Sequence, residues 1–308
     1  MKNFSIKKTS LLLSGAFLLS VAFTSCGKDG NNDIILPPIG GYNNSDEVGE
    51  ANLLAYWGFE GNGNEGKAGT APTSGVRATY ISGGVKGQAL NLDSGYLYYA
   101  SAIAPLTSNQ PFTVSAWVQV TNNGGPGNPP VNNFPYSYFQ SAIPGQLFGN
   151  ITALVEAGQY KVASDTMVFK SIYKDMNGGT QDNINNNGIA GTEYLVVKKA
   201  GTSQWVNVVT TYNPAGGTGA QSIFRIYADS ALVSNTNLNF ENKGVNSFKY
   251  SANEIIIGGW YNNIPGKTVS TDTWTVPFTG KIDEIRVWNK LLTGAEITAI
   301  YQLGKAGR

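Results

Sequence analysis

The chain has 308 residues, with 21 Lys and Arg against 20 Asp and Glu, a net charge of +1, one Cys and no His. This balance gives no basic footprint for nucleic acid. The absence of His removes Ser-His-Asp and Cys-His nucleophiles together with the usual zinc sites, leaving carboxylates, Tyr, Lys and Arg for any chemistry. Only 13% of residues are charged while 38 are Gly, a turn-rich composition of the kind common in bacterial proteins outside the cytoplasm.

The N-terminus runs from a positive start (Lys2, Lys7, Lys8) into an apolar stretch from Leu11 to Phe23, then Phe23-Thr24-Ser25-Cys26. A charged start, a short apolar run and small residues at a cut describe a secretory signal. The apolar run, about 13 residues, is short of the roughly 20 that cross a bilayer as a helix. Cys26 has no second Cys to pair with, so it is placed to accept a lipid and become the mature N-terminus; the alternative is an ordinary signal peptide followed by a free thiol. The segment resembles a bacterial lipobox of the looser Bacteroidetes kind, and Lys28-Asp29 resembles the charged export signal of surface lipoproteins in that phylum. The resemblance implies an outer-membrane lipoprotein of the cell envelope, held to the membrane by lipid on Cys26. Residues 26–50, rich in Gly, Asn, Asp and Pro, are expected to be a flexible tether after a signal peptide of residues 1–25.

Residues 51–308 are expected to form a single domain, with no internal repeat. Leu53 to Glu60 reads as a first strand, followed by Gly87 to Asp93 and a second arm from Tyr96 to Ala100. Phe112 to Val120 is the clearest strand of the first half, with Phe112, Val114, Ala116, Val118 and Val120 on one face and Trp117 on the other. Weaker strands are expected at 147–155, 166–173 and 194–198. Stronger ones follow at 205–212 and 222–227, the latter ending in a turn at Asp229-Ser230 with a return arm through Leu232-Val233. Two more are expected at 254–259 and 278–288. In the last, strict alternation places Ile282, Glu284, Arg286 and Trp288 opposite Asp283, Ile285 and Val287. Thr293-Gly294-Ala295-Glu296 fits a capping box that opens a helix with an Ile297, Ile300, Tyr301 stripe, closed by Gly304. Strands separated by turns over this length imply two packed antiparallel sheets: an all-β sandwich with one short C-terminal helix.

The motifs Ala55-Tyr56-Trp57-Gly58-Phe59-Glu60, Gly87 to Asp93, Phe112 to Val118, Trp205 to Val209, Phe224 to Asp229, Gly280 to Trp288 and Leu292 to Ile297 occur in this order. The series, across residues 53 to 303, resembles the LamG-like, concanavalin A-like lectin/glucanase jelly roll. The resemblance implies adjacent first and last strands, a concave sheet face, and rim loops where relatives bind glycans or proteins. Some relatives hold calcium there, and Glu60, Asp93 and Asp283 stand at positions that are acidic in many of them. Those carboxylates are candidate calcium ligands; alternatively, Glu60 and Asp283 satisfy turn N–H groups with no metal. The segment between Trp117 and Trp205 is longer than the family pattern.

Glucanases on this fold use carboxylates spaced i, i+2 on one strand, a spacing that puts both on one face. No such pair occurs here; Asp283 and Glu284 are adjacent and alternation would send them to opposite faces. Aromatic loop residues give binding slightly better support. Trp260, Tyr261 and Trp274 in one inter-strand loop, with Asn262 and Asn263 as hydrogen-bonding groups, would make a stacking platform for a sugar ring. Phe134, Tyr136, Tyr138 and Phe139 form a second cluster, and Tyr96, Tyr98 and Tyr99 a third. Each could equally cover a sheet edge or cap the core. Three readings remain open: a noncatalytic lipoprotein binding glycan or another extracellular polymer, a protein-binding adhesion module, and a glycoside hydrolase whose carboxylates converge from distant positions.

Overall fold

The computed structural model describes residues 36–103, 106, 110–120, 134–156, 166–174, 180–182, 197–198, 204–214, 222–234 and 252–308. Residues 37–308 belong to one compact unit; of the other, residues 1–36, only Leu36 is described. The strands are β1 (Leu53–Trp57), β2 (Ser74–Ser82), β3 (Gln88–Tyr99), β4 (Phe112–Gln119), β5 (Tyr136–Ala142), β6 (Ile151–Glu156), β7 (Thr166–Lys174), β8 (Thr180–Asp182), β9 (Val197–Lys198), β10 (Val206–Asn213), β11 (Ile223–Ala228), β12 (Ala231–Leu232), β13 (Glu254–Ile257) and β14 (Phe278–Trp288). Helix α1 (Gly294–Lys305) follows. Among the described residues no helix is long and apolar enough to cross a membrane.

The strands pair antiparallel along one path, β12-β11-β10-β4-β14-β3-β13-β5-β6-β7-β8. The path curls until its ends meet across a shared core. Tyr173 of β7 stacks on Phe224 of β11 with centroids 4.4 Å apart, and Ser171 Oγ lies 3.0 Å from Thr210 Oγ1 of β10. The long strand β3 joins the two layers: residues 90–95 pair with β14 and residues 97–99 with β13. β1 pairs with the C-terminal half of β14, so first and last strands lie side by side as the family resemblance implied. On β4 the expected alternation is present: Phe112, Val114, Ala116 and Val118 enter the core, while Trp117 leaves it and stacks on Tyr301 of α1.

Three strands lie outside the pattern expected from sequence: β2, β5 and the three-residue β8. β2 is an exposed edge strand whose Val76 is 40% exposed, so it lacks a buried face to give it a pattern. β5 carries a bulge between Ser137 and Phe139, which turns both Tyr138 and Phe139 into the core and cancels the period of two. The expected strand at 194–198 lies mostly outside the described residues; its last two form β9.

The second half of the expected tether is part of the domain. Ser45–Glu47 and Glu50–Asn52 form 3₁₀ turns, Val48 is buried against Trp288, and the Trp288 indole N–H donates to Val48 O at 3.0 Å. Gly49 takes a left-handed φ of 64° directly over that indole, where an added Cβ would lie 3.0 Å from the ring nitrogen. Arg308 closes the same corner by donating to Asn43 O and Pro37 O. The polar composition of this stretch hides its role, because only Ile39, Tyr42 and Val48 meet the apolar cluster at Trp288 while Asp46 meets the buried Arg286.

Helix α1 starts as expected: Thr293 Oγ1 accepts from Glu296 N and Glu296 Oε2 accepts from Thr293 N. Its end differs, since Gly304 lies inside the helix and the left-handed residue is Gly307, φ 68°. Gly304 serves close packing instead, because a Cβ there would stand 2.5 Å from the Trp117 ring. Ile297, Ile300 and Leu303 bury the helix against Val209, Leu292 and Trp288 on the outer face of the sheet.

Candidate binding site

The expected aromatic platform is an internal cluster. Trp260 is 0% exposed and Tyr261 4%. Trp260 meets Trp274 edge-to-face at 5.1 Å and packs with Leu154 and Ile172, while Trp274 stacks on Phe148. Tyr261 joins Tyr96, Tyr98, Ala142, Ile256 and Ile264. Asn262 faces its own loop, accepting from Val269 N and Ser270 N and donating to Ser270 O. The 258–277 segment thus uses its aromatic residues to cover the outer face of β13, β5 and β6, and Trp260 and Tyr261 have no free face for a sugar ring. Desolvating that apolar face outweighs exposing the rings. The other two clusters fare alike: Tyr99, Tyr138 and Phe139 are in the main core and Tyr136 packs against it.

The three expected calcium ligands act separately. Both oxygens of Glu60 accept from Gln88 N, Asp93 is exposed on β3, and Asp283 Oδ2 accepts from Val85 N at 2.7 Å and from Lys86 N at 3.3 Å. Among the described residues no three carboxylates, His or Cys come together as a metal site. Glu60 and Asp283 accept from backbone N–H groups of the 84–88 turn and clamp its two ends.

The last strand departs from alternation. A bulge between Asp283 and Arg286, with Glu284 at φ 51°, lets Ile282, Ile285 and Val287 all reach the core. Asp283, Glu284 and Arg286 consequently share the outer side, and the expected opposition of Asp283 and Glu284 does not hold. Arg286, only 2% exposed, reaches Glu284 Oε2 at 2.7 Å and Asp46 Oδ1 at 2.6 Å, and its guanidinium lies 4.5 Å from the Tyr56 ring centroid. Tyr56 OH donates to Glu284 Oε1, and Lys86 Nζ reaches Asp46 Oδ2 at 2.9 Å. Partial burial opposes ionisation of Asp46, but hydrogen bonds from Lys86 and Arg286 hold its pKa below the usual carboxylate range. Burial and the neighbouring Glu284 push Asp283 up to about 8, against three backbone N–H groups that favour its charge.

The sequence reading also passed over a cleft beside α1. It is lined by Gly84, Val85, Trp117, Trp205, Tyr301, Gly304 and Lys305 and has a volume of about 300 Å³. Trp117 and Tyr301 stack there at 5.9 Å and 19°, and Trp205, just before β10, is half-buried. From sequence, Trp117 and Trp205 read as members of two strands. Only the arrival of α1 from the far end of the chain turns them into the walls of a cavity.

A curled two-layer sandwich with its termini joined and one helix laid on its outer face defines a jelly-roll protein of the lectin type. The model of the concanavalin A-like lectin/glucanases superfamily matches residues 93–298, and the chain belongs to that superfamily. No curated protein sequence matches the chain. Among solved structures, it is similar to the binding domain of Paraclostridial Mosquitocidal Protein 1, at 13% identity and TM-score 0.50, covering 82% of this chain and 52% of that one. The botulinum neurotoxin serotype G binding domain is similar at 14% and 0.50, covering 82% and 51%. This chain therefore spans about half the length of those toxin domains. Domain 4 of AbnA, a GH43 extracellular arabinanase from Geobacillus stearothermophilus in complex with arabinotriose, is similar at 16% and 0.48, covering 82% and 98%.

Proposed function

We propose that the protein is a noncatalytic carbohydrate-binding module of the bacterial cell envelope, anchored by lipid on Cys26. The observation that carries the noncatalytic reading is the commitment of the buried carboxylates among the described residues. Glu65 accepts from three backbone N–H groups, Asp283 from three, Glu284 is held by Tyr56 and Arg286, Glu254 by Lys267 and Glu296 by Lys290 and Thr293. A glycosidase needs two carboxyl groups facing one sugar, and none of these is free to serve as one of them. Superfamily membership supports the sugar as ligand. The link from Cys26 to Pro37 is about eleven residues, no longer than roughly 40 Å at full extension.

A glycan array probed with the full chain tests the binding reading, and polysaccharide digestion tests the catalytic one. Retention on at least one glycan without turnover is expected. Turnover lost on changing a single carboxylate would overturn the noncatalytic assignment. Failure on every glycan, with a protein partner recovered by crosslinking, would replace the sugar by a protein. The anchor is tested by metabolic labelling with a palmitate analogue, which Cys26→Ser should abolish.

A further inference from the structure

We propose that the cleft beside α1 is the sugar site, and that it takes one pyranose ring with a preference for rings bearing a carboxylate. The inference rests on the carbohydrate-binding reading and assigns it a place. Its volume, about 300 Å³, sits at the lower end of ligand pockets, roughly 300–1,000 Å³. That suits a single ring and leaves no room for an extended peptide. Trp205 is half-buried and lines the cleft beside the stacked Trp117–Tyr301 pair, and an aromatic ring there is the kind of surface on which the apolar side of a sugar ring stacks.

Trp117, Trp205 and Lys305 bring donor-only groups to the lining, beside the Tyr301 hydroxyl, which can donate or accept. Trp117 is 4% exposed, and its indole N–H has no acceptor among the described residues. The edge carrying that nitrogen abuts Gly304, whose missing side chain keeps the space open: a Cβ would come within 2.9 Å of Nε1. That nitrogen is open to the cleft, where a ligand oxygen can take the place of water as its acceptor. Lys305 is exposed at the mouth, with Nζ 5.5 Å from the Tyr301 centroid. Among the described residues it has no ion pair, and no acidic side chain lines the cleft. Indole and ammonium groups only donate, so the matching ligand offers acceptor oxygens, and a carboxylate near Lys305 adds attraction. Because that attraction is solvent-exposed, its expected worth is about two- to fivefold in affinity.

The test is a titration of the full chain, followed by tryptophan fluorescence and by NMR, with three pairs of monosaccharides: glucuronate and glucose, galacturonate and galactose, mannuronate and mannose. At least one uronate should bind about two- to fivefold more tightly than its neutral partner. Trp205→Ala should weaken both about tenfold, with the fold retained by circular dichroism despite the packing lost with the half-buried ring. Lys305→Gln should erase the difference within the pair, and Trp274→Ala should leave binding as it is. Sugar binding indifferent to Trp205→Ala and Lys305→Gln would overturn this site while the carbohydrate reading stands. If no monosaccharide perturbs the tryptophans, the site falls and the glycan array alone decides the broader reading.

Discussion

Over β14 the outer surface carries Asp283, Glu284 and Arg286, covered by residues 37–50 and the 84–88 turn; over β13 and β5 it carries Ile256 and Ala142, covered by the 258–277 segment. Both covers come from sequence that reads as loop, yet their physics differ. The first is matched charge to charge, with Arg286 reaching Asp46 and Glu284. The second is matched ring to ring, with Trp260, Trp274, Tyr261 and Tyr98 packed in apolar clusters. A charged cover should fail abruptly when one partner goes, because the other charge is left buried. An aromatic cover should fail in proportion to the area lost.

The largest effect is expected on the charged side. Arg286→Ala leaves Glu284 buried without its cation and costs about 3–5 kcal/mol. It also removes the contact with Tyr56. Urea denaturation should show a lost or severely shifted transition; a loss below about 1 kcal/mol would mean that water reaches Glu284 and that the cover is loose. Trp260→Ala should cost slightly less, about 3–4 kcal/mol, and should leave sugar binding intact. A graded series through Trp260→Phe sharpens the comparison, since only the aromatic side should lose stability smoothly with size.

The two sides also differ in pH response. Asp283 has an unfolded pKa near 3.9 and a folded one raised to about 8 by burial and Glu284. The folded state therefore binds the extra proton between those values, and linkage requires stability to fall as pH rises through that window, by up to about 1.4 kcal/mol per pH unit. Below about pH 4 both states are protonated and the contribution is fully present. Asp283→Asn should remove this slope at an unconditional cost of about 1–3 kcal/mol, because the amide NH₂ confronts backbone donors. Thermal melts across pH 4 to 8 measure it. A slope unchanged in the variant would assign the effect to another group.

Legibility followed periodicity. β4 was readable because five alternating apolar residues from Phe112 to Val120 face one core, and α1 because Thr293 and Glu296 form a reciprocal cap. The faces of β14 were misread because one residue, Glu284, occupies a bulge that resets alternation, and nothing in Asp283-Glu284-Ile285 marks it. The binding candidates failed for a different reason. Aromatic residues in a loop look the same whether they face solvent or fold back on a sheet, and Trp260 folds back. The cleft at Trp117, Trp205 and Tyr301 joins residues far apart in sequence, so only the tertiary fold brings its walls together.

The smallest effect is expected where the aromatic cover borrows a charge. Lys267 Nζ lies 3.1 Å from both Glu254 oxygens and 5.2 Å from the centroids of Tyr98 and Tyr261, tying the 258–277 segment to the sheet. Burial works against its charge, but hydrogen bonds with Tyr98 and Glu254 raise its pKa. A quarter of the Lys267 side chain is exposed while Glu254 is buried, so solvent screens the pair from the lysine side only and Lys267→Met should cost about 1–2 kcal/mol. Its methylene stem would keep packing on the two rings. Amide exchange across residues 258–277 is the sensitive measurement, and modestly faster exchange confined to that segment is the expected result. A loss as large as that of Arg286→Ala would show that this cover, too, hangs on a single ion pair, and the contrast between the two faces would collapse.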